Sequence, residues 1–455
     1  LTTAPPHRLS SIRLAQRLLA PTSRRGFFDQ DSPETPSMHG LILPLIATFL
    51  LSTATPALAC GDKVDAPELA RAGAAPVGVM TVPMTVAGRP DLPLSNLLIG
   101  RIVRADRTLK VTLWYPTASG AGVGAATPKA YEGRVRRPGQ SDAVFEIPGC
   151  SHPGAAPLKT AVPLVVFSHG YGGWATYTAD LAETLASRGY VVAAIDHEDP
   201  PFRNAVGFAL SFAHVAANRA RDQQAVIALL RGLAHDPDFA LAGAFDPDRL
   251  ALIGYSMGGF GALATAGAGY DTASPFYRRI PGDLLTNQAE GQAQPADGLK
   301  ALVLMAPWGG QTANRSWSTA ALSRVTVPTL LIVGDQDDVA GYADGAQRIY
   351  EGLTGADRQM LVFANARHNL VGADAPAAAR SAFSSFESFE EPVWRKDRLR
   401  TISAHFIVAF LDLTLKGDTD RAEYLKPLPP GGVAKGFSKR WSLGFSLRRD
   451  PSAQP

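Results

Sequence analysis

A chain of 455 residues with 46% hydrophobic and 19% charged residues can bury one large core, which excludes a disordered or repeat-built protein. The formal net charge is only +3, and no dense Lys/Arg run is interleaved with aromatics, so no nucleic-acid partner is expected.

Leu41 to Leu51 (LILPLIATFLL) is too short to span a bilayer and precedes Ala57-Leu58-Ala59, so it reads as an export signal cleaved after Ala59. Met38 is the natural start for such a signal, and on that reading residues 1–37 are untranslated. A rival start uses Ser23-Arg24-Arg25-Gly26-Phe27-Phe28 as a twin-arginine signal, although the acidic, proline-containing Asp29 to Pro36 is unusual there. Either route leads out of the cytoplasm to a secreted or periplasmic protein with no transmembrane span in its mature form. The cysteines, Cys60 and Cys150, could form a disulfide, Cys60 could carry a lipid, or both could be free. Export favours the disulfide.

From Val77 onward, apolar runs alternate with longer amphipathic stretches, which predicts a mostly parallel sheet with helices on both faces. The predicted strands are Lys110 to Tyr115, Pro163 to Ser168, Tyr190 to Ile195, Arg249 to Gly254, Lys300 to Met305, Thr329 to Gly334 and Gln359 to Ala364. Their β-branched and leucine content lacks polar alternation, so both faces are buried. Helical spacing marks Thr176 to Arg188, Phe212 to Leu233, Met257 to Ala268, Tyr342 to Leu353 and Leu399 to Lys416. Asp271 to Asp297 and Val371 to Lys396 read as surface insertions, and the chain past Pro427 as a loosely held terminus. The expected organisation is a leader over 1–59, one catalytic domain over 60–427 and a flexible tail over 428–455.

The strand ending at Gly254 runs into Gly254-Tyr255-Ser256-Met257-Gly258-Gly259 and then a helix, which is the context of a nucleophile elbow. Glycines two before and two after the serine let the backbones pass closely, and the helix N-terminus offers amides to a developing oxyanion. The competing reading is a tight turn with an inert serine. A serine needs a histidine to take its proton and a carboxylate to hold that histidine, in the chain order Ser, Asp, His. Of the nine histidines only His368 fits. His7 and His39 lie in the leader, His152 precedes the core sheet, and His169, His197 and His235 come before Ser256. His214 and His405 fall within predicted helices. Asp335, Asp337 and Asp338 all follow the strand ending at Gly334, and spacing does not choose among them. Phe167-Ser168-His169-Gly170-Tyr171-Gly172-Gly173 can present the second oxyanion amide, so the donors are assigned to Tyr171 and Met257. No metal or organic cofactor is required.

From about Val111 to Leu415 the chain resembles the platelet-activating-factor acetylhydrolase and dienelactone-hydrolase-like branch of α/β-hydrolases. The resemblance rests on Leu113-Trp114-Tyr115-Pro116, FSHGYGG from Phe167, LASRGYVVAAIDHED from Leu185, HVAANRARDQQAVIALL from His214 and IGYSMGG from Ile253. It implies the α/β-hydrolase fold and a serine esterase. The acetylhydrolases carry their acid two residues before a tryptophan, where this chain has Ala306. Pro307-Trp308, Val327-Pro328-Thr329-Leu330 and Gly334 to Asp337 resemble bacterial cutinases and polyester hydrolases instead. That likeness implies Asp337 as the acid, leaves Asp335 and Asp338 as turn formers, and makes Trp308 and Tyr171 aromatic walls of an acyl pocket. The substrates so implied are short-chain acyl esters, including phospholipid-derived ones, or polyesters. A peptidase of the same fold and a ligand-binding protein on a dead hydrolase scaffold are the alternatives.

Overall fold

The computed structural model describes residues 63–96, 99–118, 129–135, 142–281 and 283–453. The predicted leader, its cleavage site and Cys60 lie outside them; Cys150 is disulfide-bonded.

The strands are β1 (Val77–Asn96), β2 (Arg101–Pro116), β3 (Tyr131–Val135), β4 (Ala143–Ile147), β5 (His152–Pro153), β6 (Val162–Ser168), β7 (Val191–Asp196), β8 (Phe245–Tyr255), β9 (Leu299–Met305), β10 (Thr329–Gly334), β11 (Arg358–Phe363) and β12 (Phe445–Asp450). Ten of them form one sheet in the order β12-β11-β10-β9-β8-β6-β7-β2-β1-β5, and β3 pairs with β4 alone. β7, β6, β8, β9, β10 and β11 are mutually parallel; β2 and β12 join antiparallel at either side.

The apolar runs behave as their lack of alternation requires. In β6, Leu164 and Val166 enter the core on one side of the sheet while Val165 and Phe167 enter the core on the other. Helices α1 (Ala179–Ser187) and α4 (Lys396–Lys416) close one side, with Leu185, Phe406 and Phe410 buried there. On the other side lie α2 (Ala205–Leu233) and α3 (Met257–Thr265), with Val226, Leu230, Phe260 and Leu263 buried. Each such side chain contributes roughly 1.5–3 kcal/mol.

Three expectations need correction. The terminus past Pro427 is not loose: Phe445–Asp450 pairs with β11 from Phe363↔Phe445 to Arg358↔Asp450, and Phe445 and Leu447 are buried. The two insertions are not wholly superficial, because Phe276, Leu284 and Leu285 enter the main core and Phe389 packs on Trp174. Helix α2 starts at Ala205 instead of Phe212, capped by the Asn204 side chain accepting from the Gly207 amide at 2.8 Å.

Candidate active site

Because β6, β8, β9, β10 and β11 are parallel, the segments leaving their carboxyl ends meet at one rim. Ser168 at the end of β6 lies opposite Gly254 near the end of β8. The Gly170–Gly173 loop therefore leaves the sheet beside the turn that carries Ser256, and β7 lies on the other side of β6, so this is a topological switch point.

Ser256 has φ 51° and ψ −114°, a left-handed conformation that L side chains rarely adopt. Its amide donates to Met305 O at 2.9 Å and its carbonyl accepts from the Trp308 amide at 3.2 Å, so neighbouring backbone holds the strained residue. The flanking glycines are required sterically. A Cβ on Gly254 would lie 2.5 Å from Gly258 O, and one on Gly258 would lie 2.0 Å from Ser168 O.

His368 follows β11 and Asp337 follows β10. The Ser256 hydroxyl lies 3.0 Å from His368 Nε2, and His368 Nδ1 lies 2.9 Å and 3.1 Å from the two Asp337 oxygens. A carboxylate can only accept, so Nδ1 carries the proton and the Nε2 lone pair faces the serine. Asp337 Oδ1 also accepts from the amides of Val339 and Ala340 at 2.9 Å and 2.8 Å. Burial works against its ionisation, but the hydrogen bond and charge of His368 and these amides outweigh it and hold the carboxyl below its ordinary range. The Tyr255 hydroxyl donates to the His368 carbonyl at 3.2 Å, which fixes the histidine backbone.

The neighbouring aspartates are engaged elsewhere. Asp335 accepts from the Asn365 amide at 2.7 Å, and Asp338 pairs with Arg367 at 2.7 Å in the open. Ala306, at the acetylhydrolase acid position, is fully buried with φ 43° and its amide on Ile332 O at 2.8 Å.

Met257 is the first residue of α3, immediately after Ser256, and Tyr171 stands in the glycine loop. A Cβ on Gly170 would lie 3.2 Å from the Ser256 Cβ, so the loop passes against the nucleophile. Trp308 is buried, with Phe212 at 5.2 Å and Phe276 at 5.7 Å between ring centroids; Tyr171 is half-buried and packs on Phe212 and Phe208. Among the described residues no group of three or more His, Cys, Asp or Glu could hold a metal ion.

A family model of platelet-activating factor acetylhydrolase, isoform II, matches residues 104–232, and a PET hydrolase-like model matches residues 287–396. The chain has the α/β-hydrolase fold, and its sequence is similar to cutinase-like hydrolases. This α/β-hydrolase is 29% identical to Cutinase est1 of Thermobifida alba over 45% of its own length and 52% of that protein. It is 30% identical to Cutinase 2 of Thermobifida cellulosilytica over 45% and 59%, and 26% identical to the bis(hydroxyethyl) terephthalate hydrolase of Streptomyces coelicolor over 58% and 61%. The chain spans about half the length of the first of these curated relatives. No helix among its described residues is long and apolar enough to cross a membrane.

Sequence reasoning missed a second set of residues in this chain, directly under the glycine loop. Ser168 Oγ lies 2.8 Å from His197 Nε2, and His197 Nδ1 lies 3.2 Å from Asp222, which also pairs with Arg107 at 3.1 Å. Gln223 Nε2 donates to Ser168 Oγ at 2.8 Å and to Gly258 O at 2.9 Å, tying β6 to the nucleophile helix. His169 Nδ1 donates to Gly170 O at 2.6 Å while its Nε2 accepts from the His197 amide at 3.1 Å. The available signal was helical spacing. Arg219 and Gln223 share the apolar stripe of Val215, Ala216 and Val226, where polar side chains need buried partners.

Proposed function

We propose that the chain is an exported serine carboxylic-ester hydrolase working through an acyl-enzyme. The observation that carries this reading is the hydrogen-bond chain from Ser256 Oγ through His368 to Asp337, at the rim where the glycine loop ends. Ser256 Oγ attacks the ester carbonyl while its proton passes to His368 Nε2, and Asp337 stabilises the imidazolium that forms. The negative charge on the tetrahedral oxygen falls to the Tyr171 and Met257 amides, each worth about 3 kcal/mol of transition-state stabilisation. Collapse releases the alcohol with the proton from His368. Water then attacks the acyl-enzyme by the same path and regenerates the serine.

The substrates proposed are short-chain acyl esters, including phospholipid-derived ones, and polyesters, with Trp308 and Tyr171 lining the acyl side. The buried edge of Trp308 against Phe212 suits an apolar acyl group. A disulfide at Cys150 suits an oxidising compartment, which supports export. The test is a panel of p-nitrophenyl acetate, butyrate and longer esters, a polyester film and a peptide anilide, run beside fluorophosphonate labelling. Esters turned over with stoichiometric labelling are expected. Preference for the anilide would make the protein a peptidase, and no labelling of folded protein would make it a binding scaffold.

A further inference from the structure

The Tyr171 amide is only useful if it is held where the oxyanion forms, and a loop rich in glycine does not hold itself. The adjacent Gly172 amide donates to Asp199 Oδ2 at 2.8 Å, and the same oxygen receives Arg219 Nη2 at 2.7 Å. Asp199 stands just past the end of β7 and Arg219 in the middle of α2; both are buried. The stem of Arg219 lies against the nucleophile helix, since a Cβ on Gly261 would sit 2.5 Å from Arg219 Cγ. One ion pair thus spans from the loop carrying the Tyr171 donor to the helix carrying the Met257 donor.

Stability does not account for this pair. Replacing a buried ion pair with neutral groups of similar volume is often neutral or stabilising. Here Arg219 Nε and Nη1 have no hydrogen-bond partner, which adds a desolvation cost. Its charge does have a use near developing negative charge. A lone Asp199 carboxylate beside the loop would oppose the oxyanion, and Arg219 cancels that field while fixing the carboxylate that orients Gly172.

We infer that Asp199 and Arg219 are positioning residues for the oxyanion hole, registering the glycine loop against the nucleophile helix and neutralising the carboxylate that does so. This rests on the ester-hydrolase reading above.

The experiment compares wild type, Asp199→Asn, Arg219→Met and the double variant for kcat and KM on p-nitrophenyl butyrate. It adds affinity for an alkyl boronate, whose tetrahedral serine adduct places an oxygen in the oxyanion hole, and the unfolding midpoint. The expected loss in kcat is about 10–100-fold with KM changed less than about twofold, and the boronate weakens by the same factor as kcat/KM. The double variant, with both charges removed, should unfold no earlier than wild type and still be slow. It keeps the test decisive should Arg219→Met fail to fold. Full kcat in the folded double variant, or a loss of rate without weaker boronate binding, would overturn the positioning role. A wild type that fluorophosphonate does not label would overturn the ester-hydrolase reading itself, and this inference with it.

Discussion

Among the described residues, two Ser–His–Asp relays share the same connectivity in different environments. At the rim, Ser256, His368 and Asp337 are 6%, 8% and 6% exposed, and the serine is strained into a left-handed turn. Beneath, Ser168, His197 and Asp222 are 0%, 1% and 1% exposed, and the serine sits in the regular strand β6 with Gln223 closing its remaining side. Electrostatics separates them further. Burial, then the charges of the nearby Arg219 and Arg107, push the His197 pKa well down, so the neutral imidazole is favoured. Burial raises the Asp222 carboxyl to about 6 despite Arg107, whereas the Asp337 carboxyl is held low. A histidine whose cationic form is this strongly disfavoured makes a poor base. The three residue types do not by themselves define a catalytic site; the two relays differ in access and in how readily the histidine takes up a proton.

The sharpest way to break this contrast is to remove each serine. Ser256→Ala should abolish fluorophosphonate labelling and lower kcat by about 10⁶-fold, while Ser168→Ala stays labelled to full stoichiometry; the opposite pattern would exchange the roles. Next in size is the acid. Asp337→Asn should lower kcat by about 10⁴-fold, against about twofold or less for Asp335→Asn or Asp338→Asn, measured on a soluble ester. Ser168→Ala instead leaves His197 Nε2 without its partner and Gln223 Nε2 with Gly258 O alone, so denaturant unfolding should show about 1–3 kcal/mol lost.

The smallest effect is on pH dependence, and its sign differs between the relays. Asp337 has a lowered folded pKa, so its stabilisation is present above the ordinary carboxyl value of about 3.9 and is lost as pH falls below it. Asp222 has a raised one, so its favourable contribution is complete below about 3.9 and is lost as pH rises through about 6. Asp222→Asn should flatten the stability profile between those two values, and Asp337→Asn should flatten it below the lower one. Identical profiles for the two variants would remove the electrostatic distinction.

The parallel strands were legible because each is a short apolar run ended by a turn signal, and the rim followed from their carboxyl ends. β1 was not. Pro83, Pro90, Pro93 and Gly88 interrupt Val77–Asn96 and read as breakers. Only Gly78 and Val79 of this strand pair with β5, and most of its length hydrogen-bonds to β2 alone, so the prolines fall on a mainly one-sided strand. Ser256 and His368 could be chosen from chain order, and Asp337 from a family pattern, because those signals are local. Asp199, a loop carboxylate, could not; helical spacing marks Arg219 as needing a buried partner, but which partner appears only when β7 and α2 pack around the glycine loop.

The pairing of β12 with β11 has a bearing on how the chain matures. Residues 445–450 supply the outermost ladder of a sheet whose other strands all precede residue 364, so the edge of β11 stays open until the ribosome has passed that point. During that interval a hydrophobic strand edge is available to another molecule. Arg448, Arg449 and Asp450 then line the finished border with charge, and Arg449 pairs with Asp357 at 2.8 Å across the ladder. A shortened version ending near Pro427 would keep Ser256, Asp337 and His368 and yet be made with a permanently unguarded flank, prone to aggregate before it could be assayed.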